Sequence, residues 1–142
     1  MSRIYWDSML FIYWLEDHPL HASRMNRIHE CMEQRGDRLC TSVFTVGEVL
    51  TGLYKREAME TAAQVREAFH SPQIELIPFS PETSDRYARI RASCRVSPAD
   101  AIHLASAATA GIDLFLTNDQ RLQPLSIHGI QFIAGMDVNL FR

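Results

Sequence analysis

Lysine is almost missing from the 142 residues: Lys55 stands alone against thirteen arginines. Acidic residues outnumber basic ones, with a net charge of −3 and a pI of about 6.0. That balance excludes a nucleic-acid binder working by bulk positive charge. Arginine-only basicity suits a bidentate grip on phosphate or carboxylate, and it also follows from a G- and C-rich coding sequence. Cysteine is scarce: Cys31, Cys40 and Cys94 are odd in number and lack CxxC spacing. They read as reduced thiols of a cytoplasmic protein, not as a disulfide framework or a zinc site. His18-x-x-His21 has no third zinc ligand nearby. The longest apolar run, Met9 to Leu15, has seven residues, where a membrane span needs about 20. No basic stretch precedes an apolar one at the N-terminus, so no secretory leader is expected. With only six Gly and six Pro there is no collagen-like or linker composition.

What is present alternates between strand and helix signals, and residues 1–142 read as one domain. Strands are predicted at Arg3–Trp6, Arg38–Val43, Ile74–Pro78, Asp113–Thr117 and Ile130–Ile133. Between them, apolar residues recur at helical spacing over Ser8–Glu16, Leu20–Gln34, Thr45–Arg56, Ala58–Phe69, Pro81–Ser93 and Pro98–Ala110. Gly36 and Gly111 stand where helices should stop. The alternation implies βαβ units and a mostly parallel sheet covered on both faces.

Sites in such sheets lie beyond the carboxyl ends of the strands. Four carboxylates fall there: Asp7 after the first strand, Glu48 one turn into the helix after the second, Asp100 opening the Ala-rich helix, and Asp119 after Leu114–Thr117. None has an obvious basic neighbour in sequence. Asp7 could instead cap a helix, Ser97-Pro98-Ala99-Asp100 fits a capping box, and Asn118-Asp119 could be a turn. Glu48, between Val46 and Val49-Leu50, has no such role and is expected to need a cation. Crowded carboxylates repel unless a cation neutralises them, and Mg²⁺ or Mn²⁺ suits an all-oxygen site. The apolar Met9–Leu15 stretch exceeds what one helix face buries, so part of it is expected at an interface.

The order Asp7, Glu48, Asp100, Asp119 resembles the acidic quartet of PIN-domain nucleases, especially VapC-type toxins of type II toxin–antitoxin pairs. The pieces that carry the likeness are Ile4-Tyr5-Trp6-Asp7-Ser8, Ser42 through Gly52, Pro98 through Ala105, and Phe115-Leu116-Thr117-Asn118-Asp119. Such proteins commonly carry Asn where this chain has Met9. The resemblance implies a three-layer α/β/α sandwich with about five parallel strands in the order 3-2-1-4-5. It implies cleavage of RNA by a Mg²⁺- or Mn²⁺-dependent endoribonuclease, with all four acids as catalytic metal ligands. Partners implied are the RNA, an antitoxin protein and a second copy in a homodimer. Ser8, Thr117 and Asn118 are candidates for orienting the acids, and Arg89, Arg95 and Arg121 for holding the RNA backbone. His103 reads as a packed or surface histidine. Two rivals are a silent PIN-like module that only binds a partner, and a phosphatase or receiver-type domain. The latter needs a lysine near its aspartate, and the single lysine, Lys55, lies past Glu48 in the same helix.

Overall fold

The computed structural model describes residues 1–142. Five strands, β1 (Arg3–Trp6), β2 (Arg38–Ser42), β3 (Ile74–Ile77), β4 (Leu114–Leu116) and β5 (Phe132–Ala134), form one sheet. All four pairings are parallel and the order is β3-β2-β1-β4-β5, as the resemblance implies. The helices are α1 (Ser8–Leu15), α2 (Ala22–Arg35), α3 (Val43–Lys55), α4 (Met59–Phe69), α5 (Pro81–Ser93) and α6 (Pro98–Ala110). A short 3₁₀ turn, Asn139–Phe141, follows β5. No helix is long and apolar enough to cross a membrane.

Alternation along β1 assigns the two faces. Ile4 and Trp6 enter a core shared with α1 to α4, which includes Phe11, Met25, Met32, Leu53 and Phe69. Tyr5 points the other way, into a smaller core with Ile90 of α5 and the Ala-rich inner face of α6. The Met9–Leu15 stretch is spent in the first core. Leu10, Phe11 and Tyr13 are buried, Ile12, Trp14 and Leu15 pack against them, and Met9 alone is exposed. The interface expected of this run therefore reduces to Met9. A full turn of aromatic and aliphatic residues finds neighbours because α1 is flanked by α2 and α3 as well as by the sheet.

Three local devices set the ends of the site-bearing helices. Asp7 Oδ1 accepts from Leu10 N at 3.3 Å and starts α1. Ser42 Oγ accepts from Thr45 N, so α3 begins at Val43, two residues earlier than its apolar pattern indicates. Ser97 Oγ accepts from Asp100 N, with Pro98 at the first position, and starts α6. At the other end of α6, Gly111 takes φ 68°, a left-handed conformation natural to glycine, and turns the chain into β4. Alanines 101, 105, 107 and 108 are buried, so the helix lies close to the sheet and brings Asp100 to the carboxyl ends of β1 and β4. β5 sits two residues later than predicted. Ile130, which opens the predicted strand, is buried in the preceding loop instead, together with Ile127.

An arginine fastens the C-terminal segment. Arg24 of α2 donates to the carbonyls of Met136 (2.7 Å), Phe141 (2.7 Å) and Val138 (3.2 Å).

Candidate metal centre

Asp7 stands at the end of the central strand, half-buried, its amide donating to Leu116 O. Burial pushes its carboxyl above the ordinary range. The Thr117 hydroxyl, His103 and the Leu10 amide pull it back, and the charge of Asp100 adds to the rise. The Asp7 carboxylate meets no basic side chain at hydrogen-bond distance; it accepts from the Leu10 amide and has the Thr117 hydroxyl beside it. It is a desolvated acid beside another acid, an arrangement that favours a cation.

Glu48 projects from the first turns of α3 into a chain of polar side chains. His103 Nε2 lies 2.6 Å from Glu48 Oε1, and Ser8 Oγ donates to the same oxygen. His103 Nδ1 lies 2.7 Å from Tyr5 Oη, which donates to Ser42 Oγ at 2.9 Å. Tyr5, Ser42 and His103 are buried, whereas the Glu48 side chain keeps 32% exposure. Burial raises the Glu48 carboxyl, but the hydrogen bonds from His103 and Ser8 prevail and hold it below its ordinary range. Glu48 thus already has a hydrogen-bond partner in His103, which its sequence neighbourhood does not show. The two residues are 55 apart in sequence, and only the packing of α3 against α6 joins them.

Asp100 is half-buried. Its amide is capped by Ser97, but its carboxylate does not return the bond that would complete a capping box. Asp119 is held by its neighbour: Arg121 donates through Nε to Oδ1 (3.1 Å), through Nη2 to Oδ2 (2.8 Å) and through its amide to Oδ1 (2.9 Å). The guanidinium beside it holds the Asp119 carboxyl below the usual range. Arg121, a candidate for the RNA backbone, is therefore engaged by an acid of the quartet.

The donor set consists of carboxylate oxygens, which suits Mg²⁺ or Mn²⁺. No three His, Cys, Asp or Glu side chains stand converged as a ready-made metal cage. Three of the four acids nevertheless keep a carboxylate oxygen free for a cation. Asp7 and Asp100 make no ion pair, and Glu48 accepts both its hydrogen bonds at Oε1, leaving Oε2 unbonded. Asp119 could join only on release from Arg121.

The remaining candidates divide. Ser8 bonds Glu48 and, at 3.2 Å, His103 Nε2. Thr117, fully buried, accepts from the Asp119 amide at 3.0 Å and lowers the Asp7 carboxyl. Asn118 turns away and donates to the Tyr13 hydroxyl at 3.1 Å. Arg89 is paired with Asp85 on its own helix, while Arg95 is exposed and makes no ion pair. Glu48 also borders an open groove of about 620 Å³ between α3, α6 and Phe79, with Val43 and Phe79 exposed on its walls. Tyr5 and His103 are the residues sequence reasoning missed. The available signal was positional: Tyr5 shares a strand face with Asp7, and His103 lies one turn after Asp100.

Residues 4–126 match the family model described as PIN domain. Among solved structures, the chain is similar to VapBC2 from Rickettsia felis, bound to a DNA fragment from their promoter. The identity is 16% and the TM-score 0.75, over 94% of this chain and 98% of that one. It is similar to a toxin–antitoxin complex from Klebsiella pneumoniae (18%, TM-score 0.67, 89% and 94% covered). It is also similar to VapC20 of Mycobacterium tuberculosis, a toxin that cleaves the sarcin–ricin loop (16%, TM-score 0.67, 79% and 86% covered). No curated protein matches the chain in sequence.

Proposed function

The chain belongs to the PIN-domain family, and from that premise we propose that it is a divalent-metal-dependent endoribonuclease, the toxin of a toxin–antitoxin pair. The observation that carries this reading is the half-buried Asp7 carboxylate, raised by burial and by Asp100 and without a basic partner. Asp7, Asp100 and the free oxygen of Glu48 would hold Mg²⁺ or Mn²⁺, with Asp119 as a fourth donor. A divalent cation bound there supplies Lewis acidity toward the phosphodiester and a water of lowered pKa. Ser8 and His103 keep Glu48 oriented, and Thr117 keeps the Asp119 backbone in place. Arg121, released from Asp119, would face the RNA phosphate, with Arg95 unpaired and Arg89 more weakly available.

The similar structures, toxin–antitoxin complexes among them, support an antitoxin partner. The groove beside Glu48, apolar at Val43 and Phe79, fits an antitoxin segment whose basic residue would approach the acids. A cytoplasmic location, a single domain over 1–142 and a homodimer complete the reading.

The second reading is a silent module that only binds a partner. It is favoured by the pairing of Glu48 and Asp119 with His103 and Arg121 and by the lack of a preformed cage. Purified protein incubated with structured RNA separates the two. Cleavage that needs Mg²⁺ or Mn²⁺, stops with EDTA and is lost in Asp7→Asn supports the nuclease. Metal binding without cleavage supports the silent module. Cleavage indifferent to EDTA, with contaminating nucleases excluded, overturns the metal reading.

A further inference from the structure

We propose that Tyr5 and His103 are positioning residues that grip the Glu48 carboxylate by Oε1 and so present Oε2 to the cation. The proposal rests on the metal-nuclease reading above and adds to it how one ligand is aimed.

The geometry is a line of contacts with a fixed end and an open end. At the fixed end, Ser42 Oγ is locked because it accepts the Thr45 amide and so caps α3, the helix that carries Glu48. Next come Tyr5 Oη at 2.9 Å from Ser42 Oγ, His103 Nδ1 at 2.7 Å from Oη, and Glu48 Oε1 at 2.6 Å from Nε2. The open end is a carboxylate with 32% exposure, facing the groove. Strand β1, helix α3 and helix α6 each contribute one member, so the chain also ties together the elements that bear Asp7, Glu48 and Asp100.

Hydrogen accounting fixes the direction. An ionised carboxylate oxygen only accepts, so the hydrogen in the 2.6 Å contact rides on Nε2. That holds whichever way the Tyr5 and Ser42 hydroxyl hydrogens turn. The Tyr5 hydroxyl is both donor and acceptor, so Oη partners Nδ1 by donating to a neutral ring or by accepting from a protonated one. Phe44 packs edge-on to His103 at 5.3 Å and Phe115 stacks on Tyr5 at 4.9 Å. The two rings therefore have one orientation each. Both ring nitrogens of this buried imidazole find a partner, and one of the two is a carboxylate half in water. Paired histidine and carboxylate groups beside metals commonly set ligand orientation in this way.

Two amide substitutions separate aiming from packing. The amide nitrogen of His103→Gln reaches where Nε2 stands and can still donate to Glu48. That of His103→Asn reaches only the Nδ1 position. Mn²⁺ is titrated calorimetrically into wild type, both variants and Tyr5→Phe, with melting curves alongside. Expected are a roughly tenfold to hundredfold loss of Mn²⁺ affinity in His103→Asn, recovery to within about threefold of wild type in His103→Gln, and an intermediate loss in Tyr5→Phe. Melting temperatures of the two amide variants should fall alike, because both lose the imidazole packing. Equal Mn²⁺ affinity in Gln and Asn variants overturns the proposal and leaves the metal reading standing. A wild type that binds no Mn²⁺ overturns both. Long-range ¹H–¹⁵N spectra of the metal-free wild type give a check that needs no variant to fold: a hydrogen on Nε2 of His103 supports the proposal, and a bare Nε2 overturns it.

Discussion

Glu48 and Asp119 each pair with a basic side chain, but the two pairs are built in opposite ways. The partner of Glu48 is distant in sequence, buried, and braced by Tyr5 and Ser42 behind it. The partner of Asp119 is two residues away and its side chain is 84% exposed. In the first pair the contacts fall on one carboxylate oxygen and the other is free. In the second both oxygens are taken. A braced partner fixes a ligand in place, whereas a solvated one can swing off and make room. The four acids thus have an inner half, Glu48 braced beside the buried surroundings of Asp7, and an outer side on which Asp119 is held only by an exposed arginine.

The sharpest way to break this contrast is at the inner half. Asp7→Asn should lower RNA cleavage at saturating Mn²⁺ by roughly a thousandfold, the scale of several kcal/mol at about 1.4 kcal/mol per tenfold. A rate near wild type would make Asp7 a helix cap only. Glu48→Gln comes next. It should weaken Mn²⁺ affinity and cleavage together by about tenfold to a hundredfold, read by titration and by single-turnover rates. Unchanged affinity would leave Glu48 outside the site.

A melt of the metal-free protein gives a smaller effect with a definite sign. The Asp7 carboxyl is raised in the fold, so its ionised form opposes folding above that raised value. The penalty fades as pH falls through it toward the ordinary carboxyl range near about 4. Asp7→Asn should therefore melt higher than wild type at pH 7 to 8 and lose that advantage by about pH 4. For Glu48 the sign is reversed. Its lowered carboxyl contributes stability above the ordinary range, lost as pH falls through the folded value. An advantage of Asp7→Asn that grew toward acid would contradict the desolvation account.

The outer half should respond least. Arg121→Ala frees both Asp119 oxygens, so Mn²⁺ affinity should rise by about twofold to fivefold while the melting temperature stays within about two degrees of wild type. If Arg121 also meets RNA, the KM for cleavage rises in the same variant. A fall in Mn²⁺ affinity would mean that Arg121 orients Asp119 rather than competing for it.

The strands and helices were legible because their signals are local: Ser97-Pro98 and Gly111 bracket α6, and Ser80-Pro81 opens α5. The four acids were legible for the same reason, each lying at a strand end or in a helix's first turns. What was not legible is whatever two elements make jointly. The Glu48–His103 pair depends on how α3 and α6 meet, and neither segment announces it. The 3₁₀ turn at Asn139–Phe141 had no periodic signal, and its anchor is Arg24, more than a hundred residues earlier. β5 was placed early because Ile130 reads as a strand residue while it is buried in the loop before the strand.

The Arg24 anchor has a consequence for how the molecule opens. One guanidinium gathers carbonyls of Met136, Val138 and Phe141, with Arg27 on the Arg142 carbonyl and Phe141 buried beside it, so this stretch is held by side chains and not by a ladder of strand rungs. Such a segment detaches as a unit. When it does, Phe141 leaves the core it shares with Met25, Met32 and Phe11. The interior beneath α2 is then exposed to solvent while the sheet and its acids stay assembled. A protease or an exchanging amide would meet this molecule first at its tail, in one step.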